Sequence, residues 1–291
     1  DLHIDESTTS FVSKVVRATA GSELEAYKLS WQSGVDINID DAFGERISAE
    51  NPKMSDYAAF LTSQCNFTEN ASLQAGLRYI YNSKYEAPLV PSINYKHKLF
   101  GLMSVRASYS RGFRAPSIKE LYLDFKDINH NIEGNDELLA ESSHSYNLNL
   151  ALRNDLTPVK FAVDVDLFYN DGHNIIDLIP VSDPSSDQLL YVNRNFLKRK
   201  TNGGTLGAEL RKWTMLIRAD VTHTGVARTL PIDGEEIFSD FSYSTDFSVK
   251  ASGNLVKTNT NYSIFYKRTG KAEAPFVTGH AEGSGEIGLY I

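Results

Sequence analysis

Carboxylates and histidines are the side chains of this 291-residue chain that could take part in acid–base or metal chemistry. Two close carboxylate pairs occur, Asp183 with Asp187 and Glu235 with Glu236, and both fall in polar stretches where such charges are normally solvated. A glycosidase holds two carboxylates at a fixed distance across a cleft, and the sequence predicts no cleft around either pair. These pairs therefore do not predict an active site.

Motifs of other catalytic or metal centres are also missing from the sequence. It contains no G-x-S-x-G elbow, no phosphate-binding P-loop and no H-E-x-x-H helix. Cys65 is the single cysteine, and no Cys/His cluster has the spacing of a zinc site. We expect no enzyme, no cofactor and no metal of the protein's own. The net charge of -8 argues against a nucleic-acid partner, since surfaces that bind nucleic acid are normally basic.

The elements that position these side chains follow from a period of two. Alternation is clear around residues 73–81, 105–109, 146–152, 161–169 and 262–266, and it is typical of half-buried strands. No apolar run approaches the roughly 18 residues that a transmembrane helix needs. The sequence therefore predicts an all-β fold, which is either a water-soluble β protein or a transmembrane barrel with lipid-facing residues in alternation.

Connections between the predicted strands alternate in length. Short turns near residues 68–70, 99–101, 154–158, 212–213 and 255–257 are separated by longer segments around 82–88, 113–143, 171–188 and 227–239. Outer-membrane barrels sort their connections in this way. Aromatic residues near the strand ends could form the girdle of such a barrel, although any sheet favours them. They are Tyr79, Tyr81, Tyr109, Phe113, Phe168, Tyr169, Phe241 and Tyr243.

Two sequence boxes resemble one known family. The stretch Ser108–Tyr122, SYSRGFRAPSIKELY, is similar to the "RGFRAPSxKELY" segment of TonB-dependent outer-membrane receptors. The stretch Gly134–Ser142, GNDELLAES, resembles the "GNPxLKPExS" segment that follows it in the family. Asp136 departs from the pattern because the family carries proline there, and its loss restores φ freedom to the loop.

The resemblance implies an antiparallel transmembrane β-barrel, which in this family has 22 strands around an N-terminal plug. About eleven or twelve strands are predicted here, so residues 1–291 are expected to form part of a barrel domain whose plug and closing strands lie outside them. The implied function is active import of a metal chelate such as haem, with energy from the TonB system. The implied location is the outer membrane of a Gram-negative bacterium. The expected partners are outer-membrane lipid, the TonB complex acting through the plug, and a small-molecule chelate as cargo.

The resemblance also assigns residue roles. His130 lies between the two boxes, where a histidine of haem-transporting members is held to bind iron, and a neutral imidazole is a suitable axial ligand. His144, His173 and His223 are weaker ligand candidates near predicted extracellular segments. Asp164 and Asp166 are expected to be pore-wall charges. A structural or loop-bracing role is expected for Arg111, Gly112, Phe113, Arg114, Ala115, Pro116, Glu120, Leu121, Tyr122, Gly134, Asn135, Leu138 and Glu141.

Other functions remain open on the sequence alone. Within the family, the cargo could be cobalamin or a ferric siderophore, because a chelated metal needs no ligand from the receptor. Outside the family, a passive porin would share the alternation and the sorted loops but would lack the first box. A soluble adhesin-like β protein would carry polar residues on its outer face.

Overall fold

The computed structural model describes residues 9–24, 28–127, 129–155, 157–182, 189–232, 235–273, 280–281 and 284–290, and most of them lie in strands. The elements are β1 (Ser10–Leu24), β2 (Leu29–Phe43), β3 (Lys53–Asn66), β4 (Ala71–Asn82), β5 (Val90–Leu99), β6 (Met103–Arg114), α1 (Ile118–Tyr122), β7 (Asp124–Lys126), β8 (Asn131–Glu133), β9 (Glu141–Asn154), β10 (Val159–Ser182), β11 (Leu189–Lys212), β12 (Met215–Ile232), β13 (Glu235–Phe238), β14 (Ser242–Leu255), β15 (Thr260–Arg268), β16 (Ala272–Glu273), β17 (His280–Ala281) and β18 (Gly285–Tyr290). Within these ranges, no helix has the length and hydropathy needed to cross a bilayer.

One large sheet contains sixteen of the strands, and its main path is antiparallel throughout. The path runs β1-β2-β3-β4-β5-β6-β9-β10-β11-β12-β14-β15-β18, with β7, β8 and β13 attached beside it and β16 paired with β17 alone. In the described part of the chain, no pairing joins β1 to β18. The predicted all-β antiparallel architecture is confirmed.

The main path has thirteen strands in the described residues, slightly more than the eleven or twelve predicted. The first three strands lie before residue 71, where the sequence offered none of the alternating stretches on which the prediction rested. Yet β1 and β2 pair over their full length, from Ser10 with Phe43 to Leu24 with Leu29. Cross-strand hydrogen bonding therefore forms strands there without a clean alternation of polar and apolar residues.

The connections are sorted by length, as the sequence predicted. The strands are joined at one of their two ends, which we call the turn edge, by short turns. These turns lie between β3 and β4, β5 and β6, β9 and β10, β11 and β12, and β14 and β15. At one of them, Phe100 and Gly101 both have positive φ, of 50° and 71°, and glycine adopts that conformation without steric cost. The opposite ends of the strands, which we call the loop edge, are joined by the longer connections at residues 44–52, 83–89 and 115–140.

Two segments predicted as loops are largely strand, and this corrects the prediction. The structure extends β10 to Ser182 and starts β11 at Leu189, and it extends β12 to Ile232. The sequence DGHN at residues 171–174 contains turn-forming residues, but the β10–β11 ladder continues past it to the pair Ser182 and Leu189. Asp183 and Asp187 lie outside the described residues, whereas Glu235 and Glu236 belong to β13.

The sheet has one apolar and one polar face. The strand register assigns residues to these faces, because directly opposed residues of neighbouring strands lie on the same face. On the apolar face, Val165 lies between Leu150 and Leu206, and Leu206 is 53% exposed. The polar face carries Asp164 and Asp166. Their carboxylates accept hydrogen bonds from the guanidinium of Arg153 at 3.3 Å and from the amide of Asn149 at 2.7 Å. The two carboxylates share a face, as the alternation predicted.

Tyrosines border the apolar face towards the loop edge. Tyr109, Tyr146 and Tyr169 are directly opposed on β6, β9 and β10, and their ring centroids are 5.1 and 6.2 Å apart. We call these three residues the tyrosine row. Phe168 does not belong to this border, because it pairs with Asn147 on the polar face.

Candidate functional site

Arg114 joins the two sequence boxes at the loop edge. It is the last residue of β6 and pairs in register with Glu141, the first residue of β9. Its guanidinium donates to both Glu141 carboxylate oxygens, at 2.8 and 2.6 Å, and to both oxygens of Glu120, at 3.0 and 2.8 Å. Such fork-like, charge-assisted contacts are geometrically specific. One side chain therefore holds the strand ends and helix α1 together.

The start of α1 is fixed by a reciprocal cap. The backbone N–H of Glu120 donates to the Ser117 hydroxyl at 3.3 Å, and the Ser117 N–H donates to the Glu120 carboxylate at 2.7 Å. This is the capping box that a Ser-x-x-Glu sequence favours. Burial alone would raise the pKa of the Glu120 carboxyl, but the hydrogen bonds from Arg114 and Ser117 outweigh it and lower that pKa below its ordinary value.

The first box also supplies a small hydrophobic core at the loop edge. Ile118 is buried with Ala42, Ile47 and Met54, and Ala115, Tyr85 and Tyr122 pack against the cluster. Pro116 and Leu121 are almost fully buried. Most of the first box is therefore occupied with packing, which leaves little of it free to touch a ligand.

The second box is threaded against the first. The N–H of Gly134 donates to the Leu123 carbonyl at 2.7 Å, and the N–H of Asn135 donates to the Glu120 carbonyl at 2.9 Å. A Cβ on Gly134 would lie 2.6 Å from backbone atoms of Leu121 and Tyr122, so only glycine fits this approach.

Two other residues of the second box differ in exposure, because Leu138 is buried and Asp136 is exposed. Leu138 is 2% exposed. Asp136, at the position where the family carries proline, accepts a hydrogen bond from the ammonium of Lys84 at 3.4 Å through its backbone carbonyl. The box therefore makes this contact with aspartate at the position where the family carries proline.

Arg114, α1 and the second box together form the base of the loop at residues 115–140. Three asparagines on β10 and β11 also belong to this base, and they were not identified from the sequence. Asn193 accepts from the Asn135 side-chain amide at 2.9 Å through its backbone carbonyl, and its own side-chain amide donates to the Glu120 backbone carbonyl at 3.3 Å. Asn195 accepts from the Leu139 N–H at 2.8 Å and donates to the carbonyl of Asn174 at 2.6 Å. A usable signal was present, since asparagine is unfavourable in a strand and its occurrence at residues 193 and 195 indicates that the side chains make other contacts.

His130 lies in the turn of the small β7–β8 hairpin between the two boxes. The Asp127 carboxylate accepts hydrogen bonds from the N–H groups of Asn129 and His130, both at 2.8 Å, and from the imidazole Nδ1 of His130 at 3.0 Å. The Asn129 contact chiefly, together with His130, lowers the pKa of Asp127. The Nδ1 atom of His130 is therefore engaged, which leaves Nε2 as the nitrogen available to a ligand.

Aromatic and cationic groups flank this histidine. Its ring stacks on Phe125 with centroids 4.7 Å apart, and the guanidinium of Arg46 lies 4.2 Å from the centroid of the same Phe125 ring. The hairpin is tied to the wall because β8 pairs in parallel with β11 at Tyr191 and Val192. His130, with half of its side chain exposed, is thus held at the loop edge by a braced support.

Other predicted site residues lie elsewhere. Register places Arg111 and Phe113 on the apolar face, opposite His144 and Ser142, while Gly112 fits closely against Ser143 on the polar face. His173 and His223 also have apolar-face registers, opposite Lys198 and Gly204. The structure therefore brings together Arg114, Glu120, Glu141 and the second box, but not the weaker histidine candidates. In the described ranges, no group of three or more His, Cys, Asp or Glu side chains could hold a metal.

Comparison with known proteins gives a consistent picture. Residues 4–278 match the family described as TonB dependent receptor-like, beta-barrel. The ferric enterobactin receptor of Pseudomonas aeruginosa is 22% identical over 267 residues, which cover 84% of this chain and 33% of that receptor. Hemoglobin and hemoglobin-haptoglobin-binding protein A of Haemophilus influenzae is 24% identical over 194 residues, which cover 59% of this chain and 18% of that protein.

Solved structures share the fold. The siderophore receptor PirA of Pseudomonas aeruginosa matches with a TM-score of 0.67 and 16% identity, over 98% of this chain and 58% of the receptor. The hemophore receptor HasR of Serratia marcescens, solved as a double mutant with its hemophore HasA and heme, matches with a TM-score of 0.69 and 11% identity, over 97% and 53% of the two chains. The chain thus spans little more than half of these receptors and at most a third of the two curated relatives.

Proposed function

Because the chain belongs to the TonB-dependent receptor β-barrel family, we propose that it forms part of the wall of a receptor in the outer membrane of a Gram-negative bacterium. The receptor binds a metal chelate outside the cell and imports it with energy from the TonB system. In this proposal the apolar face contacts lipid, the polar face lines the lumen and the loop edge faces outward. The chain supplies binding and passage, with no catalytic step.

The observation that carries this proposal is the position of His130. The β7–β8 hairpin lies between the two family boxes, whose residues mostly make structural contacts with one another. The turn of the hairpin exposes the His130 imidazole at the loop edge. A base fixed by Arg114 and the three asparagines allows the hairpin to meet cargo without being remodelled. Such a division between rigid support and exposed tip is typical of binding loops.

Haem is the cargo that we propose. Asp127 orients the imidazole through Nδ1, as carboxylates do for metal-binding histidines, so Nε2 suits an axial position on haem iron. Phe125 adds an apolar surface beside the histidine ring. The names of the Haemophilus influenzae relatives refer to hemoglobin binding, which supports the same direction.

A ferric siderophore is the second candidate. It is supported by the ferric enterobactin receptor, which aligns with 84% of this chain. A siderophore already saturates its iron, so this cargo would need cationic or aromatic loop contacts and no imidazole ligand. Arg46 and Phe125 would then matter more than His130.

A titration of the complete, detergent-purified receptor tests both candidates. Haem, cobalamin and a ferric siderophore are added in turn, and the haem absorption band and mutual competition are followed. We expect a shifted haem band that is lost in His130→Ala. His97→Ala is the matched control, because His97 also has an aromatic neighbour and a hydrogen bond at Nδ1, from or to Tyr95 at 2.9 Å, but lies near the turn edge.

The outcomes of these experiments distinguish the candidate cargoes and the alternative functions. An unchanged haem band in His130→Ala removes the histidine from the site, and tight binding of a siderophore alone replaces haem as cargo. A receptor that passes small solutes without the TonB system would be a porin. A protein that stays dispersed without detergent would be an adhesin-like β protein.

A further inference from the structure

Arg46 lies beside His130 but belongs to a different connection of the loop edge. It is part of residues 44–52, between β2 and β3, and its guanidinium carbon is 4.2 Å from the centroid of the Phe125 ring. The His130 ring stacks on the same Phe125 ring, with centroids 4.7 Å apart. Both distances are measured to one centroid, so the guanidinium and the imidazole are no further apart than these two distances combined.

The main chain around Arg46 is fixed to the segment that leads into β7. The Asp124 N–H donates to the Arg46 carbonyl at 2.9 Å. The next residue, Ile47, forms an antiparallel bridge with Leu123 and is buried in the hydrophobic core at the loop edge. Two separate connections are therefore joined here, and the backbone of Arg46 is held in place beside the β7–β8 hairpin.

The guanidinium of Arg46, in contrast, keeps all of its donors. Among the residues that the structure describes, it has no ion pair and no side-chain hydrogen bond, and it contacts the face of the Phe125 ring. Acidic residues are not scarce, since the chain contains 37 of them against 29 lysines and arginines. Lys126, a cation on the hairpin itself, is paired with Asp124 at 3.2 Å and with Glu133 at 3.4 Å. Arg46 is therefore a positioned cation with capacity for an external anion.

The stacking of His130 on Phe125 fixes the direction in which a haem would extend. Iron bound at Nε2 lies in the plane of the imidazole, and the plane of a haem is perpendicular to the bond between its iron and an axial ligand. The two rings are within 17° of parallel, so the axis of the stack runs nearly parallel to the haem plane. A haem bound at His130 therefore extends over the edge of Phe125, the ring that Arg46 contacts.

The periphery of a haem offers the anion that suits this cation. A haem carries two propionate carboxylates on one edge of its macrocycle. A guanidinium matches a carboxylate with two parallel N–H donors, and such charge-assisted pairs are shorter and stronger than neutral hydrogen bonds.

We propose that Arg46 binds a propionate carboxylate of the haem whose iron is bound by His130. The inference rests on the proposed haem cargo and adds a second recognised group to it. The site then selects a chelate that has both an open axial position and an acidic edge. A chelate without the carboxylate leaves the guanidinium unpaired, and a polar group left unpaired by the wrong ligand is a common source of specificity.

The test uses the complete, detergent-purified receptor and two probes, haem and haem dimethyl ester, in which both propionates are esterified. We expect wild type to bind haem about tenfold more tightly than the ester. Arg46→Gln should bind both probes equally, with the affinity that wild type has for the ester. At saturation this variant should keep the shifted haem band, because His130 still binds the iron.

Lys126→Gln is the matched control. It removes one positive charge from the same hairpin, but Lys126 is already paired with two carboxylates, so the variant should bind haem as wild type does. Arg46→Lys keeps the charge without the fork of donors and should recover only part of the preference for haem over the ester.

Three results would overturn the inference and leave haem as the cargo. They are equal affinity of wild type for haem and its dimethyl ester, an equal loss of affinity for both probes in Arg46→Gln, and a loss in Lys126→Gln as large as that in Arg46→Gln. The second result would restrict Arg46 to packing on Phe125, and the third would reduce its effect to general charge attraction. Failure of wild type to bind haem at all would overturn the inference together with the proposed cargo.

Discussion

Arg114 meets Glu141 through two parallel hydrogen bonds, Nε to Oε2 at 2.8 Å and Nη2 to Oε1 at 2.6 Å. The two residues are the final register pair of β6 and β9, so their side chains close the ladder at the point where residues 115–140 leave the sheet. Glu141 also accepts from the Ile176 N–H of β10 at 2.7 Å. One ion pair thus connects three strands with the base of the longest described connection.

The variant Arg114→Gln should loosen this base while the wall persists. It removes charge-assisted hydrogen bonds to Glu120 and Glu141, and we expect a loss of about 2 kcal/mol in local stability. Hydrogen exchange should rise across residues 117–139 and stay unchanged in β14 and β15. Arg114→Lys should resemble Arg114→Gln, because an ammonium cannot replace a fork of donors.

Arg153→Gln is the control for this change. Its guanidinium makes one 3.3 Å contact with Asp164 and its side chain is 65% exposed, so its loss should have little effect. Equal exchange in the Arg114→Gln variant and wild type would contradict a bracing role for Arg114.

Low pH should destabilise the contacts at the base of the 115–140 loop, because these contacts depend on the ionised Glu120 carboxylate. Its pKa is lowered in the folded state, so the carboxylate stabilises the loop base above its unfolded pKa of about 4.3 and loses that contribution as pH falls through the lower folded value. Proteolysis within residues 115–140 should increase below about pH 4.

Glu120→Gln tests whether this carboxylate is responsible. The variant should be cleaved faster than wild type at neutral pH and should show a smaller further increase on acidification. A wild-type cleavage rate that is constant between pH 7 and pH 3 would be inconsistent with this dependence.

Gly134→Ala should disturb the two boxes through sterics alone. The new methyl group would lie 2.6 Å from the Leu121 carbonyl oxygen and the Tyr122 nitrogen, and this backbone cannot yield cheaply. We expect a destabilisation of about 1–3 kcal/mol, seen as faster exchange in α1 and β7. Gly285→Ala is the control, because its nearest atoms are at 3.8 Å and accommodate a methyl group. If both variants exchange alike, the close approach at Gly134 is not needed.

A charge on the apolar face should block assembly in the membrane. Val163 lies on that face between Leu152 and Ala208, and a lysine near the bilayer midplane costs about 2–4 kcal/mol. Val163→Lys should therefore reduce the folded fraction of the complete receptor in outer-membrane extracts. Ala162→Lys places the same charge one residue away on the polar face and should assemble normally. Normal assembly of both variants would argue against lipid contact at Val163.

Local pattern was sufficient for most of the fold. Alternation such as that of Phe161, Val163 and Val165 with Asp164 and Asp166 identifies a strand and both of its faces, because the side-chain period in a strand is two. It failed at residues 171–182, where Asn174 takes a positive φ of 54° inside β10. Its amide donates to the Ala140 carbonyl at 3.4 Å, a contact between residues 34 positions apart that no local window contains.

The site was predictable only in part for a related reason. The boxes identified Arg114 and Glu141, but their pairing depends on the register of β6 with β9. Phe125 and Asp127 lie close to His130 in the sequence, but Arg46, whose guanidinium lies over the Phe125 ring, precedes His130 by more than eighty residues. The role of His130 as a haem ligand stays a prediction.

The parallel pairing of β8 with β11 marks a boundary between the fixed base of the loop and the turn at its tip. Everything below that pairing is locked by strand register, by Arg114 and by asparagine side chains, whereas the Asp127 to His130 turn above it is closed by its own hydrogen bonds. The turn is therefore a cassette. Under the proposed function, we expect that its residues can be exchanged to change the cargo that is bound without altering the strands of the sheet.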